Sequence, residues 1–379
     1  MVGFCPRTFL LTPDYIVLHV ILLASSTEDM NLDATSVSGP SVKDQKSSRI
    51  DETFPRPHSI LTNSSLWQSE IWNRATTKIS AEETAWGSLR LALLLLLRRR
   101  KCEAVYTLGI RPAQAYGFLC RILGKGNKPH IAGEIFLDEP RPESSKWKIK
   151  RGVRRFALAR VDRFILFSSA ETRLYSRELM LPPERFHFVP FHTNIQEPTQ
   201  PELTANGEYG FAAGRSLRDW KTFFSAIDGF NHEFVVVADA QSMDGLPLPK
   251  NVRLYRDIPR SQYLDLLKAA RFVIVPLYAS GRSAGQVVVL EAEALGKPVI
   301  ASDVDGVRDY VSPDESGLLV TVGDVEALRS AIQRLINDDR LCRRLATTGF
   351  ERVMEQHTFP IFVRNCLEII RDAIAEPLA

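Results

Sequence analysis

Cysteine is scarce in this 379-residue chain, and its five residues (Cys5, Cys102, Cys120, Cys342, Cys366) are odd in number and widely scattered. No CxxC pair or His/Cys cluster has zinc spacing, and no disulfide framework is suggested. A reducing compartment is the simpler reading, and a cytoplasmic location with it. No run reaches about 18 uncharged apolar residues, which excludes a transmembrane helix. An excess of one charge sign is also lacking: 48 Lys+Arg stand against 45 Asp+Glu, a formal net charge of +3. Charge alone therefore makes no case for nucleic acid, and no stacking platform or RNA-binding motif adds one. With 45% hydrophobic and 25% charged residues, and only 21 Gly and 22 Pro, the chain is neither largely disordered nor collagen-like.

The length suits two domains of roughly 100–200 residues each. Phe9 to Ala24 imitates a signal peptide, but Pro13, Asp14 and His19 interrupt it, and a buried strand over Tyr15–Leu23 is the preferred reading. Residues 26–66 are polar and without period, the pattern of a long loop or disordered insertion. From Trp86 onward short apolar strands alternate with helices. The strands fall at Ala104–Leu108, His130–Leu137, Arg163–Phe167 and Phe186–Val189, with helices at Trp86–Arg100, Pro112–Leu123, Lys146–Arg160 and Ala170–Leu179. The stretch Gln196–Gly207 loses the apolar period and reads as a linker. The alternation then resumes from Tyr209–Ala213 through the helix Val325–Asn337, and a last helix covers Ile361–Ala375. This is an α/β pattern of two parallel-sheet, Rossmann-like domains. The expected division is an atypical segment 1–85, a first domain 86–196, a linker 197–207, a second domain 208–357, and a helix within 358–379 that crosses back to the first domain. Ligands in such folds bind at the carboxyl ends of strands, and in a two-domain chain the cleft between facing domains is the natural place.

Two stretches carry chemistry. In the first, Gly281-Arg282-Ser283-Ala284-Gly285-Gln286 ends a buried strand and opens a helix. Unpaired backbone N–H groups and the positive end of the helix dipole meet there, and phosphate oxygens suit them. Glu291, six residues after Gly285, is placed to accept hydrogen bonds from ribose hydroxyls. The blander alternative is a glycine that eases packing and a solvated glutamate. In the second, Gly214-Arg215 follows a strand directly and Lys221 stands at the next helix start. A guanidinium and an ammonium there can clamp a diphosphate and stabilise a departing anion, unless they only join Arg218 and Asp219 in a surface charge cluster.

GRSLRDWKTFFSAI, followed some sixty residues later by SAGQVVVLEAEALGKPVIASDVDGVRDYV and ESGLLV, closely resembles the donor domain of family 4 glycosyltransferases of the GT-B fold. The likeness covers roughly residues 209–357. Residues 103–195 look like the later part of the family's acceptor domain. The resemblance implies a GT-B fold, two Rossmann-like domains facing across a cleft, and a transferase that takes a sugar from a nucleotide-sugar donor. It also implies retention of the anomeric configuration, no metal and no bound cofactor. By the same resemblance the phosphate-clamp positions correspond to Arg215 and Lys221, the backbone phosphate turn to Gly285, Gln286 and Val287, and the ribose acid to Glu291. The family commonly has a glutamate eight residues before that acid, associated with the donor sugar, where this chain has Ser283. A nucleotide-binding scaffold without activity, or another GT-B enzyme such as a sugar-nucleotide epimerase, is the alternative.

On the acceptor side, Asp138 and Glu139 follow an apolar strand and are candidate contacts or bases. Residues 98–160 hold 16 Lys+Arg and 5 Asp+Glu. Within them KWKIKRGVRRFALAR places Ile149, Val153, Phe156 and Ala157 on one helical face with cations elsewhere, a pattern suited to an anionic membrane interface. A solvated basic face is the alternative. The membrane reading points to a lipid-linked or polysaccharide acceptor and a protein peripheral on the inner face of the membrane.

Overall fold

The computed structural model describes residues 56–64, 69–79, 84–124, 126–137, 144–198, 207–239, 241–243 and 245–376. The signal-like stretch and the strand expected at Tyr15–Leu23 lie outside them. The first strands and helices are β1 (Ile60–Thr62), α1 (Glu70–Ala75), β2 (Thr76–Lys78), α2 (Ala85–Arg98), β3 (Ala104–Leu108), α3 (Ile110–Leu123), β4 (His130–Gly133), α4 (Ser145–Leu158), β5 (Arg163–Leu166), α5 (Ser169–Leu179) and β6 (Phe186–Phe188). Their strands form a six-stranded sheet in the order β2-β1-β3-β4-β5-β6.

A second six-stranded sheet follows, ordered β12-β11-β10-β7-β8-β9, with every neighbouring pair parallel. Its elements are β7 (Gly210–Ala213), α6 (Trp220–Ile227), β8 (Phe234–Ala238), β9 (Val252–Arg256), α7 (Arg260–Ala269), β10 (Phe272–Val275), α8 (Gln286–Ala294), β11 (Val299–Ser302), α9 (Asp305–Arg308), β12 (Gly317–Val320), α10 (Val325–Asn337), α11 (Asp339–Gln356) and α12 (Phe359–Ala375). The chain divides into two compact units. One holds the described residues up to Phe164 with Glu178–Leu181 and those from Ile370 on; the other holds Ile165–Arg177 and Pro182–Ile369.

The second sheet shows why its strands read as continuous apolar runs. Successive side chains point to opposite faces, and both faces are covered. Phe211, Val273, Val275, Val299 and Ala301 join one buried cluster with Val288, Val289 and Ala292 of α8. Ala212, Phe234, Val236, Ile274 and Ile300 join another with Trp220, Phe223 and Ile227 of α6 and Leu328 and Ile332 of α10. The two sheets with flanking helices confirm the α/β class.

Three readings need correction. The stretch 26–66 is not wholly loop, because β1 is fully buried and pairs with both β2 and β3. Three residues are too short to declare a period, and polar Thr62 at its end and Ser59 just before it are themselves buried. The strand from His130 stops at Gly133, not at Leu137. A Cβ on Gly133 would lie 2.1 Å from the Tyr106 hydroxyl, and Glu134 turns the chain away with φ +52°. Finally, α11 was not read at all; Asp338 closes α10 and caps α11, its side chain accepting from Leu341 N–H. Among the described residues no helix is long and apolar enough to cross a membrane.

Candidate functional site

The second unit gathers the expected site residues around the carboxyl ends of β7 and β10. After β10 the chain makes an irregular turn and enters α8 through Gly285, which has φ +86°. A Cβ there would come within 2.9 Å of Val275 Cγ1 and 3.1 Å of Leu277 Cδ1, so both the dihedral and the packing call for glycine. No side chain caps α8. The backbone N–H groups of Gln286 and Val287 therefore open the helix with its positive dipole end, an arrangement suited to an anion. Gly306 of α9 supports the turn: a Cβ there would fall 2.8 Å from Ser283 Cα.

Glu291, on the second turn of α8, is not a solvated helix residue; it is 1% exposed. Its Oε1 accepts from Arg260 Nη2 at 2.7 Å, and its Oε2 accepts from Arg260 Nη1 at 3.1 Å and the Tyr263 hydroxyl at 2.8 Å. Burial, with the neighbouring carboxylate, pushes the Tyr263 phenol well above its ordinary range, so it stays a donor. The guanidinium of Arg260 lies over the Tyr263 ring at 5.0 Å. Both partners come from the first turn of α7, and the sequence reading did not find them. Only their i,i+3 spacing just after Pro259 hints at a shared face.

The β7 end holds a second arrangement. Arg215 and Lys221 are both exposed, Arg215 in the loop after Gly214 and Lys221 in the first turn of α6. Arg218, by contrast, is buried. Its Nε donates to Ala213 O at 2.8 Å and its Nη1 to Ser216 O at 2.9 Å. Burial lowers its pKa to about 10, so it remains a cation at neutral pH. Asp219 caps α6 through Thr222 N–H at 3.0 Å. Arg218 and Asp219 are therefore not a surface charge cluster but parts of the local scaffold, leaving Arg215 and Lys221 as the cations open to a ligand.

Ser283 is buried in the turn and donates from both its backbone N–H (2.9 Å) and its hydroxyl (3.1 Å) to Oε1 of Glu171, on α5. The Tyr175 hydroxyl donates to the same oxygen at 3.3 Å. Both Glu171 and Ser283 belong to the second unit. A pairing between residues 112 positions apart leaves no trace in local sequence. Asp138 and Glu139 lie outside the described residues.

Comparison with known proteins agrees with this fold. Residues 240–352 match the family described as Glycosyl transferases group 1. The lipopolysaccharide core biosynthesis glycosyltransferase LpsE of Rhizobium meliloti is 36% identical over 92 residues, 24% of this chain and 25% of that protein. The matched stretch thus spans about a quarter of that curated relative's length. Among solved structures, the sucrose-phosphate synthase of Thermosynechococcus elongatus superposes with a TM-score of 0.61 at 22% identity, covering 79% of this chain and 81% of that one. Anabaena HepE in complex with UDP-glucose superposes with a TM-score of 0.59 at 16% identity, covering 79% and 86%. The fold is GT-B, and residues 240–352 within it match the family of group 1 glycosyl transferases.

Proposed function

We propose that the chain is a glycosyltransferase that moves a sugar from a nucleotide-sugar donor to a lipid-linked or polysaccharide acceptor, with retention and without metal or bound cofactor. The observation that carries this reading is the uncapped N-terminus of α8 behind Gly285, with a buried acid, Glu291, six residues along the same helix. Donor phosphates would lie on the Gln286 and Val287 N–H groups, and the ribose hydroxyls would reach Glu291. Arg215 and Lys221 would neutralise the diphosphate as it leaves, the largest charge that develops in such a transfer. The UDP-glucose bound to HepE on a similar fold supports the donor class, and the name of LpsE supports a surface-polysaccharide intermediate as acceptor.

The first unit supports a membrane-side acceptor. Consecutive helices α2, α3 and α4 pack on one another and each leaves large apolar side chains exposed. Leu97 is 76% exposed and Ile149 56%, alongside Leu93, Ile122, Leu123 and Phe156. Exposed Arg98, Arg100, Lys101, Arg121, Lys146 and Lys148 stand on the same three helices and their ends. Apolar side chains beside cations suit the headgroup layer of an anionic bilayer, and the protein would then work peripherally on the cytoplasmic face.

The test is a thermal-shift and calorimetric panel of UDP, GDP, ADP and their glucose or mannose conjugates. Binding by the parent and its loss in Arg215→Ala is the expected result. Silence across the panel from folded protein would overturn the assignment in favour of a scaffold that does not bind donor.

A further inference from the structure

We propose that Glu171 is the side chain that receives the hydroxyls of the donor's sugar. This rests on the nucleotide-sugar reading above and adds to it the residue that reads the sugar. Glu171 is 1% exposed, a costly place for a carboxylate unless the site uses it. All three of its donors, Ser283 N–H, the Ser283 hydroxyl and the Tyr175 hydroxyl, go to Oε1. Among the described residues none donates to Oε2. Burial pushes the carboxyl pKa up, while the Ser283 and Tyr175 hydrogen bonds and the nearby Arg282 cation hold it down.

The position decides what Oε2 can take. Ser283 lies two residues before Gly285, so the turn presents two opposite chemistries within a few residues. At its helix end are N–H donors for anionic oxygens. At its other end is a buried acceptor, which repels phosphate and accepts only from a donor. A group that satisfies both ends must carry an anion joined to a neutral, hydroxyl-bearing portion. A sugar bonded directly to a diphosphate is such a group. Because Ser283 clamps one carboxylate oxygen from two sides, the other is held in a fixed direction, as sugar discrimination requires. Glu171 comes from α5 rather than from the turn, so this acid reaches the site from a distant stretch of sequence.

The experiment compares the Kd values of UDP and UDP-glucose, with GDP and GDP-mannose as a second pair, in three proteins. These are the parent, Glu171→Gln, and Glu171→Ser combined with Ser283→Glu. In Glu171→Gln the ratio of sugar-nucleotide to nucleotide Kd should rise about ten- to a hundredfold, the worth of one hydrogen bond to a charged group. The nucleotide alone should bind as before. The double variant, which returns a carboxylate to the same place from the opposite partner, should recover most of the ratio, whereas a merely structural brace would move nucleotide and sugar-nucleotide binding together. A parallel loss in nucleotide and sugar nucleotide, or no change in either, would overturn the assignment to Glu171 while leaving the donor reading intact. Failure of the parent to bind either pair would overturn both.

Discussion

The guanidinium of Arg218 occupies the space that a side chain on Gly214 would need: a Cβ on Gly214 would lie 2.2 Å from Arg218 Nη2. Gly214 also has φ +136°, a dihedral that other residues rarely adopt. The two residues form one device that turns the chain out of β7 and aims the loop bearing Arg215. Gly214→Ala should therefore cost about 2–4 kcal/mol, from backbone strain and overpacking together. Arg218→Met should cost a similar amount, because the Ala213 and Ser216 carbonyls lose their donor. Urea denaturation measures both.

Arg215, being exposed, should behave in the opposite way. Arg215→Ala should leave stability within about 0.5 kcal/mol of the parent and lower donor turnover by at least about tenfold. Per folded molecule, that loss should far exceed the one from Arg218→Met. Equal, small effects on turnover would remove Arg215 from the phosphate clamp.

Glu291→Ala should weaken binding of the free nucleoside diphosphate about tenfold or more, as the ribose hydroxyls lose their acceptor. It also strands Arg260, but that side chain is half exposed and can hydrate, so the stability loss should stay near about 1–2 kcal/mol. Calorimetry and denaturation on the same sample separate the two effects. Unchanged affinity would place the ribose elsewhere.

Glu293, two residues beyond Glu291, is fully buried against Gly349 of α11. Burial pushes its carboxyl from an ordinary 4.5 up to about 8, against the opposing pull of Arg352 and Ser316. A folded-state pKa above the unfolded one favours the protonated acid in the fold. Its contribution to stability is complete below about pH 4.5, declines as pH rises, and is lost above about pH 8. The melting temperature of the parent should accordingly fall across that window relative to Glu293→Gln, which stays neutral. Parallel curves for the two proteins would contradict this.

Ile149→Asp together with Phe156→Asp should abolish co-sedimentation with vesicles containing about 30% phosphatidylserine while leaving soluble-donor binding unchanged. Retained sedimentation would remove α4 from the proposed membrane contact. Loss of sedimentation at high salt alone would indicate charge without insertion.

The sequence was most legible where pattern and chemistry are local. The strands and helices of the second unit follow from buried apolar runs separated by turns, and the Gly285 turn follows from its glycine and the helix after it. What stayed hidden was pairing at a distance. Glu291 looks like a solvated helix position until Arg260 and Tyr263 close over it, and Glu171 carries no local mark that joins it to Ser283. Arg218 resembled its exposed neighbours because burial of a charged residue is decided by the fold around it, here by the missing side chain of Gly214. The shortest strand, β1, escaped because three residues cannot display a period.

The bonding of Glu291 has a consequence for how a ligand would arrive. Its carboxylate already takes three donors from α7, out of about four acceptor positions. A ribose diol brings two, so one resident donor has to leave. Tyr263 is partly buried against the core, whereas the Arg260 side chain is 48% exposed and can turn toward water. Nucleotide entry at Glu291 would then be an exchange of counter-ions rather than an addition, freeing a guanidinium beside a newly arrived diphosphate. Measured affinity would then be a difference between two satisfied states, which would suit a transferase that has to release its spent nucleotide.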